Sequence, residues 1–414
     1  MRSLEIFSGA GGLAKGLELA GFEHAAFIEF NKHACASLAI NFGAEKVFFG
    51  DIRDFDLDSV SAVDIVAGGP PCQPFSLGGK HKADEDSRDM FPYAIQAIKK
   101  LCPKAFVFEN VKGLLRPTFA EYFAYIILCL TYPDHEARNP SDWQEHLSQL
   151  RKIKKNYYSG ICYHVQFKLL NAADFGIPQT RERVVLVGIR SDIGKTWNFP
   201  EQTHSEDSLL WQQYVSGKYW TRHQIEPMSN DTLDSAQRIE RSMQLEHQYG
   251  LFPPTLRPWL TVRDALRDLP DPKSSHALID HVFKGGARSY PGHTGSDYDW
   301  PAKTIKAGGH GVPGGENMIR FPDATIRYFT VLEAKRIQTF PDDFAIQGAW
   351  GEAMRQIGNA VPVRLAEIIG KQLSQTLVGD THVSLAINQL VNRPVTKALM
   401  AGRQQLHEIV RTSC

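Results

Sequence analysis

The sequence predicts an α/β fold, a doubly wound open parallel sheet joined to a second, smaller and irregular domain. Through the first half of the chain short apolar runs alternate with helical patterns, as they do when crossover helices connect parallel strands. At 414 residues the chain exceeds one ordinary core, so two domains are the natural division. After about residue 195 the pattern gives way to segments rich in Gly, Pro, His and Trp, and it resumes near Thr330.

In chain order, the strand candidates are Ser3–Phe7, Ala25–Ile28, Val63–Ala67, Ala105–Phe108 and Val184–Ile189. A helix with Leu13, Leu17 and Ala20 on its apolar face lies between the first two. Residues 196–325 show little periodicity and carry the Gly-rich stretches 285–295 and 307–315, which suit binding loops. A last helix follows Pro362, with Leu365, Ala366, Ile369 and Leu373 on one face. The tail from about 376 has some helical periodicity and no visible chemistry. These boundaries divide the chain into 1–195 plus 341–414 and an inserted 196–340.

Composition narrows the function. Apolar residues make up 43% and charged residues 22%, as in soluble globular proteins, and no apolar run approaches a membrane span. The first residues enter a strand-like stretch without a signal-peptide layout, so a cytoplasmic enzyme is expected. The six cysteines (35, 72, 102, 129, 162 and 414) form no CxxC pair, which argues against a zinc site or a disulfide framework. Net charge is zero; a local patch such as Arg151-Lys152-Ile153-Lys154-Lys155 could still steer a polyanion, though a solvated helix face explains it as well.

The first strand runs into Phe7-Ser8-Gly9-Ala10-Gly11-Gly12, where glycines permit a tight turn and close backbone approach before a helix N-terminus. Phosphate, dinucleotide and adenosyl ligands all use such a loop. The second strand ends at Glu29, placed to reach ribose hydroxyls, and the third element ends at Asp51-Ile52. Two acids flanking the loop suit a ribose, an adenine amine and a cationic centre better than a pyrophosphate, which favours S-adenosylmethionine over NAD. Taken singly, each acid also fits a plain strand-end or cap residue. Glu5, inward of Phe7, matches a core strand poorly.

Gly68-Gly69-Pro70-Pro71-Cys72-Gln73-Pro74-Phe75-Ser76 places a cysteine in a stiff turn after a buried run, where open α/β sheets carry their chemistry. A nucleophile and a small buried hydrophobe are both open readings of Cys72. Ala105–Phe108 leads into Glu109-Asn110-Val111; a carboxyl ending so apolar a run should feel desolvation and hold a proton near neutrality, unless it is a helix cap. Arg181 and Arg183 alternate by two in Gln179-Thr180-Arg181-Glu182-Arg183, so both point to one face of an extended segment. They form a fork for a carbonyl oxygen, phosphate or carboxylate, or an ion pair with an acid such as Glu109.

With those motifs in place, the chain resembles the DNA (cytosine-5) methyltransferases of bacterial restriction–modification systems. Phe7–Gly12, Gly69–Ser76, Glu109–Val111, Gln179–Arg183, Arg327–Phe340 and Gln356–Val363 match that family's ordered motifs, from residue 3 to about 373. The resemblance implies a Rossmann-like, S-adenosylmethionine-dependent methyltransferase domain with a target-recognition domain at roughly 196–340. It implies addition of the Cys72 thiolate to carbon 6 of a flipped-out cytosine, with Glu109 on ring N3 and Arg181 and Arg183 around the base. Phe7 would stack on adenine, Glu29 would hold the ribose, and Asp51 and Ile52 the adenine. Asn359 would lie near the methionine portion, and Ser8, Gly9, Gly11, Gly12, Phe30 and Pro71 would complete the cofactor site. Gln73, Ser76, Lys80, Ser87 and Arg88 would fall on a loop closing over DNA, while Lys303, Lys306, His310 and Arg320 could reach phosphates or base edges. Glu5 stands where many members have aspartate, which keeps the charge. Double-stranded DNA, a possible cognate restriction endonuclease, a monomeric state and a bacterial, nucleoid-associated location follow from the same resemblance, with no metal.

Three rival readings remain open at this level. An RNA (tRNA) cytosine-5 methyltransferase shares the chemistry but carries a smaller recognition region. A catalytically silent DNA-binding relative should have lost Cys72, Glu109 or the arginine pair, and all are present. A Rossmann oxidoreductase explains the first thirty residues but not the Pro-Pro-Cys turn.

Overall fold

A seven-stranded sheet organises the chain in its computed structural model: β1 (Arg2–Ile6), β2 (Glu23–Glu29), β3 (Val47–Phe49), β4 (Ile65–Gly68), β5 (Ala105–Val111), β6 (Tyr163–Asn171) and β7 (Glu182–Arg190). The structure describes residues 1–60, 62–71, 89–139, 142–154, 157–226, 233–275, 277–307 and 317–378. The strand order is β3-β2-β1-β4-β5-β7-β6. From β1 the chain moves outward to β3, then returns to β4 on the other side of β1. That reversal is a topological switch point, and the crevice beyond the carboxyl ends of β1 and β4 is where such sheets bind ligands.

The first five strands are parallel, as expected. β7 is not: it runs antiparallel to both β5 and β6. The departure matters, because an antiparallel β7 starts where β5 ends. Arg183 is thereby paired with Val111, at the carboxyl end of β5. β5 also continues through Glu109-Asn110-Val111, so Glu109 lies within the strand and not past its tip.

Two apolar layers cover the sheet. On one face Leu4, Ile6, Val66, Phe106 and Phe108 pack under α3 (Phe91–Leu101) and α4 (Ala120–Thr131) through Ile98, Phe123, Ile126 and Leu130. On the other face α1 (Gly12–Leu19) and α2 (Lys32–Phe42) bury Ala14, Leu38 and Phe42. α1 places Leu13 and Leu17 inside, as its spacing predicts. α5 (Trp143–Arg151) packs on α4, and Arg151 pairs with Glu121 at 2.9 Å, so one charge of the basic stretch is satisfied within the protein.

Between residues 196 and 330 the elements are short, apart from one 17-residue helix. β8 (His204–Ser205) pairs with β9 (Arg257–Pro258); β10 (Ser296–Asp297), β11 (Met318–Arg320) and β12 (Ile326–Tyr328) make a small sheet. The helices are α6 (Glu206–Leu210), α7 (Lys218–His223), α8 (Leu233–Tyr249) and α9 (Val262–Leu266). The local apolar cluster is small (Ala173, Leu209, Tyr219, Trp259), and carboxylate–guanidinium pairs supplement it: Asp297 with Arg238 and Arg320, Asp299 with Arg263, Asp264 with Arg222. α10 (Val331–Ile337), α11 (Trp350–Asn359) and α12 (Val363–Val378) return to the large sheet. Leu365, Ala366, Ile369 and Leu373 of α12 are buried, as predicted. Residues 1–374 form one compact unit, and the second apolar layer draws Val262, Ala302 and Ile319 together with Phe27, Leu38, Phe340 and Ile357.

Gly68 is required where β4 meets β1. It pairs with Ile6, and a Cβ there would lie 2.0 Å from the Ile6 carbonyl oxygen. Gly68→Ala is therefore expected to cost about 1–3 kcal/mol, because two buried strands must separate to admit a methyl group. Denaturant unfolding measures this, and an unchanged midpoint would contradict the register.

Candidate active site

Two groups of residues line the edge of the sheet at and beside the switch point. The first surrounds the loop after β1. Phe7 has φ 53°, Gly9 φ 54° and Gly11 φ 88°, so three of five consecutive residues turn left-handed. For Phe7 this costs about 1–2 kcal/mol, a strain retained at a position where the ring is half-buried beside the crevice. A Cβ on Gly11 would come within 2.8 Å of the Phe42 ring, which fixes the glycine. Ser8 Oγ donates to the Glu5 carbonyl at 2.9 Å, and Gly11 N to the Ser8 carbonyl at 3.1 Å.

Glu29 closes this loop from the tip of β2. It is 7% exposed; Oε2 accepts from Gly9 N and Oε1 from Asn31 N, each at 2.8 Å. Burial pushes its carboxyl upward, against the pull of the N–H groups of Asn31 and Gly9. Next to it Phe30 is 69% exposed, a large apolar ring left open to solvent at a strand tip. Asp51 is placed differently from expectation: β3 stops at Phe49, and Asp51 caps a single turn beginning at Ile52. Its carboxylate accepts from Arg53 Nε at 2.9 Å and Nη2 at 2.6 Å, and the guanidinium holds its pKa below the usual carboxylate range. Ile52 is buried. Asn359 is exposed at the end of α11.

The second group lies along β4, β5 and β7. Arg183 Nε stands 2.5 Å from Glu109 Oε1, with the two side chains only 13% and 11% exposed. A Cβ on Gly69 would lie 3.5 Å from Glu109 Oε2, so the turn after β4 passes directly beside this pair. Asn110 anchors that turn: its Nδ2 donates to the Pro70 carbonyl at 3.0 Å. The Pro71 carbonyl accepts from Met90 N at 3.2 Å, which ties the two ends of the intervening segment together. Cys72, Gln73, Ser76, Lys80, Ser87 and Arg88 belong to that segment and lie outside the described residues, as do His310 and Cys414.

Arg181 does not share the surface of Arg183. It is fully buried, and its terminal nitrogens donate to the carbonyls of Ile305 (3.2 Å), Gly358 (2.7 Å) and Ala360 (3.0 Å). The expected two-guanidinium fork is thus divided: Arg183 faces the carboxyl, and Arg181 braces the turn that presents Asn359. Among the proposed recognition residues, Lys303 Nζ donates to Thr294 Oγ1 at 3.0 Å, Lys306 is exposed, and Arg320 is engaged by Asp297. Among the described residues no cluster of three His, Cys, Asp or Glu side chains could hold a metal ion, and no helix is long and apolar enough to cross a membrane.

Sequence reasoning left the anchoring role of Asn110 unread. Its signal was available: an amide inside a strand this apolar must find a partner. Gln179 and Gln338 lie inside matched motifs, but that they are buried and bonded to each other comes from the fold.

A family model described as C-5 cytosine-specific DNA methylase matches residues 1–132 and 143–375. The chain is 30% identical over 375 residues to the Type II methyltransferase M.NgoMIV of Neisseria gonorrhoeae, covering 91% of this chain and 97% of that protein. It is 32% identical over 377 residues to M.Sau96I of Staphylococcus aureus, covering 89% and 74%. Among solved structures, a DNA modification methyltransferase candidate encoded within an E. coli prophage superposes with a TM-score of 0.57 at 19% identity, over 92% of this chain and all of that one. DNMT2 of Spodoptera frugiperda gives 0.51 at 17% identity, over 91% and 99%.

Proposed function

Since the chain belongs to the C-5 cytosine-specific DNA methylase family and is a DNA cytosine-5 methyltransferase, we propose that it modifies one specific duplex sequence through a covalent Cys72–carbon 6 adduct. The observation that carries this reading is the largely buried Glu109–Arg183 pair beside Gly69, in the turn that leads to Cys72. A membership in this family does not allow the oxidoreductase alternative.

Carbon 5 of cytosine is a weak nucleophile inside an aromatic ring. The Cys72 thiolate forms a bond to carbon 6, and the carbon 5–carbon 6 π electrons move into the ring, leaving an enamine at carbon 5. Glu109 holds ring N3 while charge develops there, and Arg183 balances the carboxyl and reaches the base carbonyl. S-adenosylmethionine, when bound, supplies the methyl group as an electrophile. Transfer of the carbon 5 proton to water then returns electrons to the ring and expels the Cys72 sulfur as thiolate. A stacked base cannot be reached this way, so the target cytosine is flipped out of the duplex.

The residues present fit the cofactor. The left-handed loop of Phe7, Ser8, Gly9, Gly11 and Gly12 admits close backbone approach, Glu29 retains lone pairs for ribose hydroxyls, and the open Phe30 ring offers a stacking face. Ile52, Pro71, Asp51 and Asn359 complete the rim. Phe7→Ala is expected to weaken S-adenosylmethionine binding by about 1–3 kcal/mol through loss of a stacking face. Calorimetry reads this, and unchanged affinity removes Phe7 from the site.

Residues 196–340 carry recognition of the DNA sequence, with Lys303 and Lys306 toward the duplex, and the Type II relatives support a cognate restriction endonuclease. Bisulfite sequencing of DNA from cells expressing the chain tests the reading directly. Expected is one short sequence with a protected cytosine at nearly every occurrence; protection no greater than in control cells would reject it.

A further inference from the structure

Beneath the active site lies a hydrogen-bonded junction of side chains that the chemistry above does not use. Gln179, Arg181 and Gln338 are each 0% exposed. Gln179 accepts from Ile305 N through Oε1 at 3.0 Å and donates to Gln338 Oε1 at 3.0 Å. Gln338 Nε2 donates in turn to the carbonyls of Ile357 (2.6 Å) and Ala360 (3.1 Å). Arg181 spans the same gap, from Ile305 to Gly358 and Ala360. Around them, Thr180 N donates to the Ala302 carbonyl at 2.8 Å, and Thr304 Oγ1 to the Thr180 carbonyl at 2.8 Å. The backbones are in direct contact as well, since a Cβ on Gly358 would fall 2.7 Å from Ala307 N.

Three segments with separate tasks therefore meet in one buried network. Residues 302–305 belong to the recognition region. Residues 357–360 form the turn that displays Asn359 toward the cofactor. Residues 179–181 lead straight into β7, where Arg183 holds Glu109. An ordinary apolar contact would pack these segments at lower cost than a buried cation bonded only to carbonyls, since burial of a charge without a counter-ion is expensive. Arg181 Nε has no hydrogen-bond partner among the described residues, so even this network leaves part of the cost uncompensated. What the polar network provides and an apolar one does not is a fixed register: each donor accepts only one relative position of the three segments.

We propose that Gln179, Arg181 and Gln338 are positioning residues that couple DNA reading to cofactor binding, so that docking of the target duplex on the recognition region tightens the cofactor turn, and the reverse. The proposal rests on the DNA methyltransferase reading above. Coupling of this kind is reciprocal and is measured as a ratio of affinities.

The test uses the full chain and S-adenosylhomocysteine as the probe. Its affinity is measured by calorimetry alone and with saturating duplex carrying the sequence that bisulfite sequencing identifies. Wild type should bind the probe more tightly with the duplex present, by a factor within the usual range of about 5–150. Gln179→Glu keeps the shape and the acceptor for Ile305 N, but sets a carboxylate oxygen against Gln338 Oε1. It should bring the ratio close to one, while probe affinity without DNA changes little. Should that variant not fold, Thr304→Val removes one half-buried bond without changing volume and should lower the ratio by about two- to tenfold, the worth of one hydrogen bond. A wild-type ratio of one, or a folded variant with the wild-type ratio, overturns the junction. Methylation of the duplex by wild type is scored in parallel: its absence rejects the methyltransferase reading, whereas intact methylation with unchanged coupling rejects only the junction.

Discussion

Cys72→Ser is expected to lower methyl transfer by about a thousandfold or more, the scale seen when a nucleophile is removed from an intact site. An alcohol's pKa lies so far above that of a thiol that almost no alkoxide forms near neutral pH, and without addition at carbon 6 carbon 5 is not activated. DNA and cofactor binding should persist, because their contacts lie on other residues. Single-turnover transfer of a labelled methyl group measures the loss. No described cysteine is placed to replace Cys72. Burial pushes the Cys35 thiol up to about 12, with Glu29 adding to the shift, and its Sγ donates to the Glu29 carbonyl. Burial likewise pushes Cys129 up to about 12. Cys102 donates to the Lys99 carbonyl at 3.2 Å. A Cys72→Ser variant retaining even a tenth of the rate would contradict covalent catalysis.

The second large effect concerns Glu109 and Arg183. Glu109→Gln preserves shape but cannot exchange a proton with ring N3, and it should lower the transfer rate by about 10²–10⁴-fold. Arg183→Ala should do comparable damage and also cost about 3–5 kcal/mol of stability, because it leaves a nearly buried carboxylate without its counter-ion. The two measurements separate chemistry from folding. Arg183→Lys restores a positive charge but not the planar donor geometry, so stability should return further than rate. Normal single-turnover rates in folded Arg183→Ala would reduce the pair to a structural ion pair.

Much of this site can be read from residue types, and the limits are physical. β2, β4, β5 and β7 contain apolar runs that the fold buries, so hydropathy reveals them, whereas β1 interleaves Leu4 and Ile6 with buried Ser3 and Glu5. β3 has three residues and stops at Phe49, short of the Asp51-Ile52 end expected for it, and β6 is an edge strand with Lys168, Gln166 and His164 outward, so β6 has no run to detect. α8 escapes notice for a related reason: its sequence is mostly polar, and Ile239 and Met243 are exposed. Direction is harder than existence. Val184–Ile189 reads as one more parallel strand, and only its pairing with β5 shows that it is reversed. The arginines show the same limit. Alternation by two placed Arg181 and Arg183 on one face, but Arg181 precedes the regular strand and turns into the interior, where its partners are carbonyls of residues 305, 358 and 360. Sequence identifies a guanidinium; the fold supplies its acceptors. Glu29 and Gly9, by contrast, were legible, because a glycine loop and an acid at the next strand tip are adjacent in any parallel pair.

The central claim is that the Cys72 sulfur bonds to carbon 6 of the target cytosine, and one measurement addresses it directly. Duplex DNA carrying 5-fluorocytosine at the target position replaces the departing proton by fluorine, which cannot leave as a cation, so the adduct formed after methyl transfer cannot break down. With S-adenosylmethionine present, the protein should become covalently joined to the DNA, survive denaturing electrophoresis, and yield a modified peptide containing Cys72. Without the cofactor no stable adduct should accumulate. An adduct mapped to Cys35, Cys102, Cys129, Cys162 or Cys414, or methylation of ordinary DNA with no trapping by the fluorinated duplex, would contradict the mechanism.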